Sequence, residues 1–304
     1  MFALVWGFGV LASVEIPGID IMPGVTMPLL NLGTGPPYTA EETYQAALLA
    51  FEMGYPGIDT AHNYGNQKAI GAAIAATRVD RKDLWITSKV PGSMTFNDTL
   101  STNEQSLKDL NTSYVDLMLV HFPCPSQPYN ESAGSKEKRQ EQWKAMEQFY
   151  KQGKARAIGV SHHCQRHMQD ILEVATVPIA ANQVEYHVGM FGGADSQQWM
   201  KKRGISLLGF LPLCGQCDDR WELINGTLVT DIAKRYPNKT GSQISLRWLV
   251  QSGVPAIPRS KSPQHLKENM DIFDFVLSPQ DMDLLNKATN PPAADGPKDD
   301  CSIP

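Results

Sequence analysis

Short apolar runs alternate with longer amphipathic stretches along almost the whole chain. LLNLG (29–33), the run ending at Asp59 (57–59), LWITS (84–88), YVDLMLV (114–120), ARAIGV (155–160), AANQVE (180–185), ISLLGF (205–210) and VPAI (254–257) have the length and apolar content of buried strands. Helical patterns fill the gaps at 40–53, 66–76, 97–111, 137–152, 164–175, 195–203, 222–235, 241–252 and 263–271, and a last one covers 279–288. Eight buried strands separated by helices predict an α/β fold, a closed parallel (β/α)8 TIM barrel, with an open doubly wound sheet as the alternative. Ahead of the first strand, IDIMPGVTMP reads as an N-terminal β-hairpin turning at Pro-Gly and placed to plug the barrel's bottom. GFGVLA (7–12) has the spacing of a dinucleotide fingerprint, but Pro17 and Gly18 stop any helix after it, so that reading is set aside.

The organisation that follows is an apolar leader over 1–17, one barrel domain over 18–290 and an irregular tail over 291–304. Residues 2–14 are uncharged, too short to cross a bilayer and end in small residues, in the manner of a signal peptide. Asn97, Asn111, Asn130, Asn225 and Asn238 each begin a glycosylation sequon. Together they leave two compartments open, the secretory pathway and the cytoplasm. A net charge of −5 with interspersed acids and bases offers no basic face for nucleic acid and no polybasic membrane patch, so a small-molecule partner is expected. Five cysteines form no disulfide framework in a chain of this size. Cys214 and Cys217 have redox spacing but follow a strand and a proline, and read as a loop pair able to close a disulfide. The loop 122–136, rich in proline and polar residues, is the longest after any strand and is expected to wall a substrate site.

Candidate chemistry collects at strand ends. Asp59 closes one strand and Tyr64 follows in its loop; alone, the pair reads as a helix cap and a rim aromatic. Lys89 ends the next strand, where a buried ammonium needs a carboxylate, and His121 ends the one after. Four such groups converging on one barrel face favour an active site. His162, His163, Cys164 and His167 invite a metal reading, but an exposed polar loop is expected there and no metal is assigned.

The motifs GYPGIDTAHNYGN, ITSKV, LVHFP, GKARAIGVS, NQVEYH and IPRSKSPQHLKEN, in order from about Ile19 to Leu285, make the chain resemble the aldo-keto reductase family. The resemblance implies an NADPH-dependent oxidoreductase of aldehydes or ketones, acting as a monomer without a metal, with Tyr64 as general acid, Lys89 and Asp59 supporting it and His121 orienting the substrate oxygen. It further implies that Ser161, His162 and Gln183 grip the nicotinamide carboxamide and that Phe210 stacks on its ring. Leu213 falls in the cofactor loop, Arg259, Ser260, Lys261 and His265 reach the adenosine phosphate, and Glu268 and Asn269 face the adenine. The alternative is an NADP(H)-binding redox-sensing protein with little turnover. Several positions depart from the family pattern: His162 replaces asparagine, Gln67 glutamate, His265 arginine and Leu211 serine, while Phe122 and Gly35-Pro36-Pro37-Tyr38 alter the expected walls.

Overall fold

The computed structural model describes residues 15–125, 134–190, 194–215, 217, 219 and 221–291. The leader's first 14 positions, most of the loop after the fourth barrel strand, and residues 292–304 lie outside the described residues, as does Asn130.

An antiparallel hairpin, β1 (Gly18–Met22) and β2 (Val25–Pro28), turns at Gly24, whose φ of 74° favours a residue without a side chain. Eight parallel strands follow: β3 (Leu32–Gly33), β4 (Gly57–Asp59), β5 (Trp85–Val90), β6 (Val115–Val120), β7 (Ala155–Ser161), β8 (Ala181–Glu185), β9 (Ser206–Phe210) and β10 (Ala256–Ile257). Each pairs with the next in sequence order. The ring closes where Asn31 N–H donates to the Ala256 carbonyl at 3.0 Å and Gly33 N–H to that of Pro258 at 2.9 Å. That closure excludes the open sheet.

The outer ring comprises α1 (Ala40–Met53), α2 (Gln67–Ala76), α3 (Phe96–Asp109), α4 (Lys136–Lys151), α5 (Gln165–Leu172) and α6 (Ala194–Lys201), then α7 (Glu222–Asn225), α8 (Thr227–Ala233), α9 (Gly241–Gln251), α10 (Pro263–Met270) and α11 (Pro279–Asn286). The 222–235 stretch is two helices rather than one. Gly226 takes an extended ψ of 157°, and a Cβ there would stand 2.3 Å from the Glu222 carbonyl oxygen, so the turn between α7 and α8 is sterically reserved for glycine. Thr39 with Glu42 and Thr240 with Gln243 close reciprocal caps at the starts of α1 and α9.

Two apolar layers position the site. Inside the barrel, Leu117, Leu119, Trp85, Ala157 and Leu208 pack on Ile21, Val25 and Met27 of the hairpin, which therefore plugs the end away from the strand tips. Outside it, Met118 and Val120 join Trp143, Phe149 and Phe51 beneath the helices. The two-residue period of β6 thus distributes neighbouring side chains between the two layers. With the bottom sealed, the polar residues at the strands' carboxyl ends line the open rim.

Candidate active site

Strand β5 runs two residues past its expected end, so Lys89 lies within the strand rather than at its tip, 1% exposed. An ammonium so buried costs several kcal/mol in desolvation unless partners compensate it. Lys89 Nζ therefore donates to Asp59 Oδ1 at 2.5 Å, to the Thr60 carbonyl at 3.0 Å and to the Tyr64 hydroxyl at 3.4 Å. The other Asp59 oxygen accepts from Gln183 Nε2 at 2.7 Å, from across the barrel. Both oxygens of the carboxylate and every direction of the ammonium are thus used.

Tyr64 ends a 3-10 turn, His62–Tyr64, closed by Gly65 at φ 71°. The turn is tied down by Asn66, whose amide donates to the Thr34 carbonyl at 2.7 Å and accepts from the Thr60 hydroxyl at 2.9 Å. The tyrosine keeps part of its ring exposed while its hydroxyl reaches inward to Lys89. Burial raises the Tyr64 pKa above the ordinary 10.0; Lys89 opposes that rise and Asp59 adds to it. Burial, helped by Asp59, outweighs the opposing ammonium, and the net direction is upward. Tyr64 enters as a protonated hydrogen-bond donor.

His121 stands edge-on to Tyr64, ring centres 5.6 Å apart, and its Nδ1 lies 2.9 Å from Asn63 Oδ1. The contact with Asn63 anchors the imidazole beside Tyr64. Burial, together with Lys89 and His162, holds the imidazole well below its ordinary 6.5 and hence neutral.

Beyond this core, the Ser161 hydroxyl donates to the Gln183 carbonyl at 2.8 Å. Gln183 has its amide nitrogen committed to Asp59, which leaves its side-chain oxygen as the polar atom available to a bound group. His162 adopts a left-handed φ of 56° and lays its ring between Phe122, at 4.5 Å, and Phe210, at 4.9 Å. Hydropathy alone could not have revealed this aromatic column. Next to it, His163, Cys164 and His167 are buried, at 3%, 8% and 1% exposure, so the exposed loop expected there is corrected. His163 turns Nδ1 to the Ser161 carbonyl at 2.7 Å and His167 sits on the inner face of α5, which requires its burial.

A groove of about 910 Å³ opens between the segment after β9 and the segment after β10. Leu211, Leu213, Arg259, Ser260, His265, Glu268 and Asn269 line it. Lys261 does not: its ammonium pairs with Glu42 of α1, holding that carboxyl at about 2, and lies over Tyr38. Arg259 meanwhile donates to the carbonyls of Gly35, at 3.0 Å, and Pro36.

The profile of the Aldo/keto reductase family matches residues 29–290, the whole barrel from its first strand onward. The chain belongs to the aldo/keto reductase family. Among characterised members, this aldo/keto reductase is 36% identical to the glyoxal reductase of Bacillus subtilis (strain 168) over 283 residues, 93% of this chain and 96% of that one. The structure of a Bombyx mori aldo-keto reductase in complex with NADP superposes with a TM-score of 0.80 at 28% identity, covering 90% of this chain and 92% of that one. The aldose reductase of Schistosoma japonicum gives the same score and identity over 90% and 93%. The aldo/keto reductase site also includes two groups that sequence reading missed, Asn63 on His121 and the Phe122–His162 stack. Asn63 lay within the GYPGIDTAHNYGN motif, but only the folded turn aims it at His121.

Proposed function

We infer that this chain reduces an aldehyde or ketone to an alcohol with NADPH, and runs the reverse oxidation when NADP⁺ dominates. The observation that carries this reading is the chain of contacts from Asp59 through Lys89 to the Tyr64 hydroxyl, with neutral His121 beside it at the barrel's open rim. The groove's residues suit the cofactor: Arg259, Ser260 and Asn269 offer a cation, a hydroxyl and an amide to a phosphorylated adenosine. NADPH, when bound there, supplies the hydride that the protein cannot. The Tyr64 hydroxyl donates to the carbonyl oxygen and releases its proton as negative charge develops on that oxygen. Lys89 stabilises the resulting phenolate, Asp59 and Gln183 hold Lys89 in place, and His121 stands beside Tyr64 to orient the substrate oxygen. A small reactive aldehyde is the substrate class that similarity to the glyoxal reductase favours.

Protonation follows from the same arrangement. Because Tyr64 is shifted above 10.0 and His121 well below 6.5, both keep one form across neutral pH. The rate of reduction should therefore be flat through the ordinary histidine range of about 6.5 and fall only in strong alkali, as Tyr64 loses its proton. A kcat/KM profile with an inflection near 6.5 that a His121→Asn variant removes would contradict this assignment.

Cofactor selection divides the two cations. Arg259→Gln should weaken NADPH binding by about 10-fold or more, the usual worth of a charge-assisted hydrogen bond, and leave NADH binding almost unchanged. Lys261→Ala, outside the groove and paired with Glu42, should change neither. Fluorescence titration with both nucleotides measures this, and a loss at Lys261 equal to that at Arg259 would refute the division.

The second reading, an NADP(H)-binding redox sensor with little turnover, draws on the His162 ring packed between Phe122 and Phe210. Tight NADPH binding with negligible rates across a panel of carbonyls would select it. On compartment, Asn97, Asn111, Asn225 and Asn238 are all exposed, as glycosylation in the secretory pathway would require. Asn111 and Asn238 also occupy left-handed turns that asparagine tolerates, a structural reason for their presence in a cytoplasmic protein. Peptide mass spectrometry of the native N-terminus and these asparagines distinguishes the two.

A further inference from the structure

Away from Tyr64, four metal-ligating side chains meet between the end of β8 and the loop after β9. Glu185 ends β8, His187 follows it, and Cys214 and Cys217 come from the loop. One ligand atom from each lies within 4.8 Å of every other. His187, Cys214 and Cys217 are buried and Glu185 is partly so. Glu185 Oε1 stands 3.2 Å from His187 Nε2 and 3.9 Å from Cys214 Sγ, and Cys217 Sγ stands 3.8 Å from His187 Nε2. Ligands held at about 2.0 to 2.3 Å around a tetrahedral ion are separated by about 3.3 to 3.8 Å, close to these distances.

The imidazole is already set for ligation. Its Nδ1 lies 2.7 Å from the Val188 carbonyl, which orients the ring so that Nε2 faces the cluster. Cys214 is held at a left-handed φ of 45°, an uncommon conformation for a residue with a side chain, and its sulfur is fully buried beside the other groups. In the structure the two sulfurs are joined as a disulfide.

We propose that the reduced chain holds one divalent, zinc-class cation on Glu185, His187, Cys214 and Cys217, and that the Cys214–Cys217 disulfide is the oxidised, metal-free form of the same site. Two thiolates and an imidazole select such an ion over magnesium or calcium. Interconversion balances simply. A dithiol reductant supplies two electrons and two protons, cleaving the S–S bond and leaving as its own disulfide. The entering cation then replaces the two thiol protons, which pass to solvent. The site fixes the loop whose Leu211, Pro212, Leu213 and Gly215 form one wall of the groove, so either state braces that wall.

Cobalt(II) titration of the full chain tests this after anaerobic reduction with a dithiol and removal of the reductant. The expected result is a thiolate-to-cobalt charge-transfer band with intense tetrahedral visible bands, saturating at one ion per chain and bleached by Zn²⁺. The disulfide form should give neither. Cys214→Ser with Cys217→Ser should abolish the charge-transfer band, and His187→Gln should weaken binding by at least about 10-fold. Substitutions at buried positions can fail to fold, so the wild type carries an independent readout: Zn²⁺ should slow alkylation of Cys214 and Cys217 in the reduced chain, followed by peptide mass spectrometry. A reduced wild type with no charge-transfer band and no protection from alkylation would overturn the proposal and leave a disulfide beside a Glu185–His187 contact only. None of these readouts depends on turnover.

Discussion

Replacing Tyr64 with phenylalanine is expected to lower kcat for carbonyl reduction by about 100- to 10,000-fold, the range that a positioned proton donor contributes. The substitution removes one oxygen at the end of a ring that keeps part of its surface exposed, so the barrel should fold normally. NADPH affinity should be unchanged, because Tyr64 does not line the groove. The lost hydroxyl is the atom 3.4 Å from Lys89 Nζ, and no other phenol stands near that ammonium to replace it among the described residues. Steady-state rates with a reactive aldehyde, beside a fluorescence titration of NADPH, separate the two effects. A variant that keeps wild-type kcat would remove Tyr64 from the chemistry.

The second large effect is expected at Lys89, and it combines stability with rate. Lys89→Met leaves the Asp59 carboxylate buried at 4% exposure without its cation. Breaking a buried ion pair in this way costs about 3–5 kcal/mol. Gln183 still donates to one Asp59 oxygen, which keeps the loss toward the lower end. Adding Asp59→Asn to Lys89→Met removes the stranded charge and should recover part of the stability but none of the turnover, since nothing then stabilises the Tyr64 phenolate. Urea midpoints for the two single variants and the double variant measure the coupling. Equal stability of Lys89→Met and wild type would mean that the ion pair is not where the structure places it.

Much of this was legible from the chain because β strands impose a strict order on their residues. Asp59, Lys89 and His121 each close or nearly close an apolar run, and parallel strands with one hand of crossover must bring such ends to one face. The hairpin plug followed from a Pro-Gly turn between β-branched runs, and its buried Ile21, Val25 and Met27 occupy the barrel as that reading required. Less legible was anything decided by a distant partner. Lys261 sits beside groove-lining Ser260, yet Glu42, 219 positions away, turns its side chain elsewhere. The Gln183 amide reaches Asp59 across 124 positions, a contact that no local pattern encodes.

Polar burial was opaque for a related reason. His163 and His167 read as a solvated loop by hydropathy, and only the packing of α5 against the barrel puts them inside. Gly226 lies inside the stretch 222–235 whose pattern predicts one helix, whereas the neighbouring Glu222 carbonyl makes it the break between two. The protonation of Tyr64 was not legible either, because the sequence shows the charges near a phenol but not the balance between burial, ammonium and carboxylate.

The most direct test of direct carbonyl reduction at Tyr64 follows the hydride itself. With NADPH deuterated at its transferable position and nitrobenzaldehyde as acceptor, mass spectrometry of the alcohol should find deuterium on the carbinol carbon for the wild type and none for Tyr64→Phe over the same interval. Alcohol without deuterium from the wild type, or equal labelling by both proteins, would contradict the account.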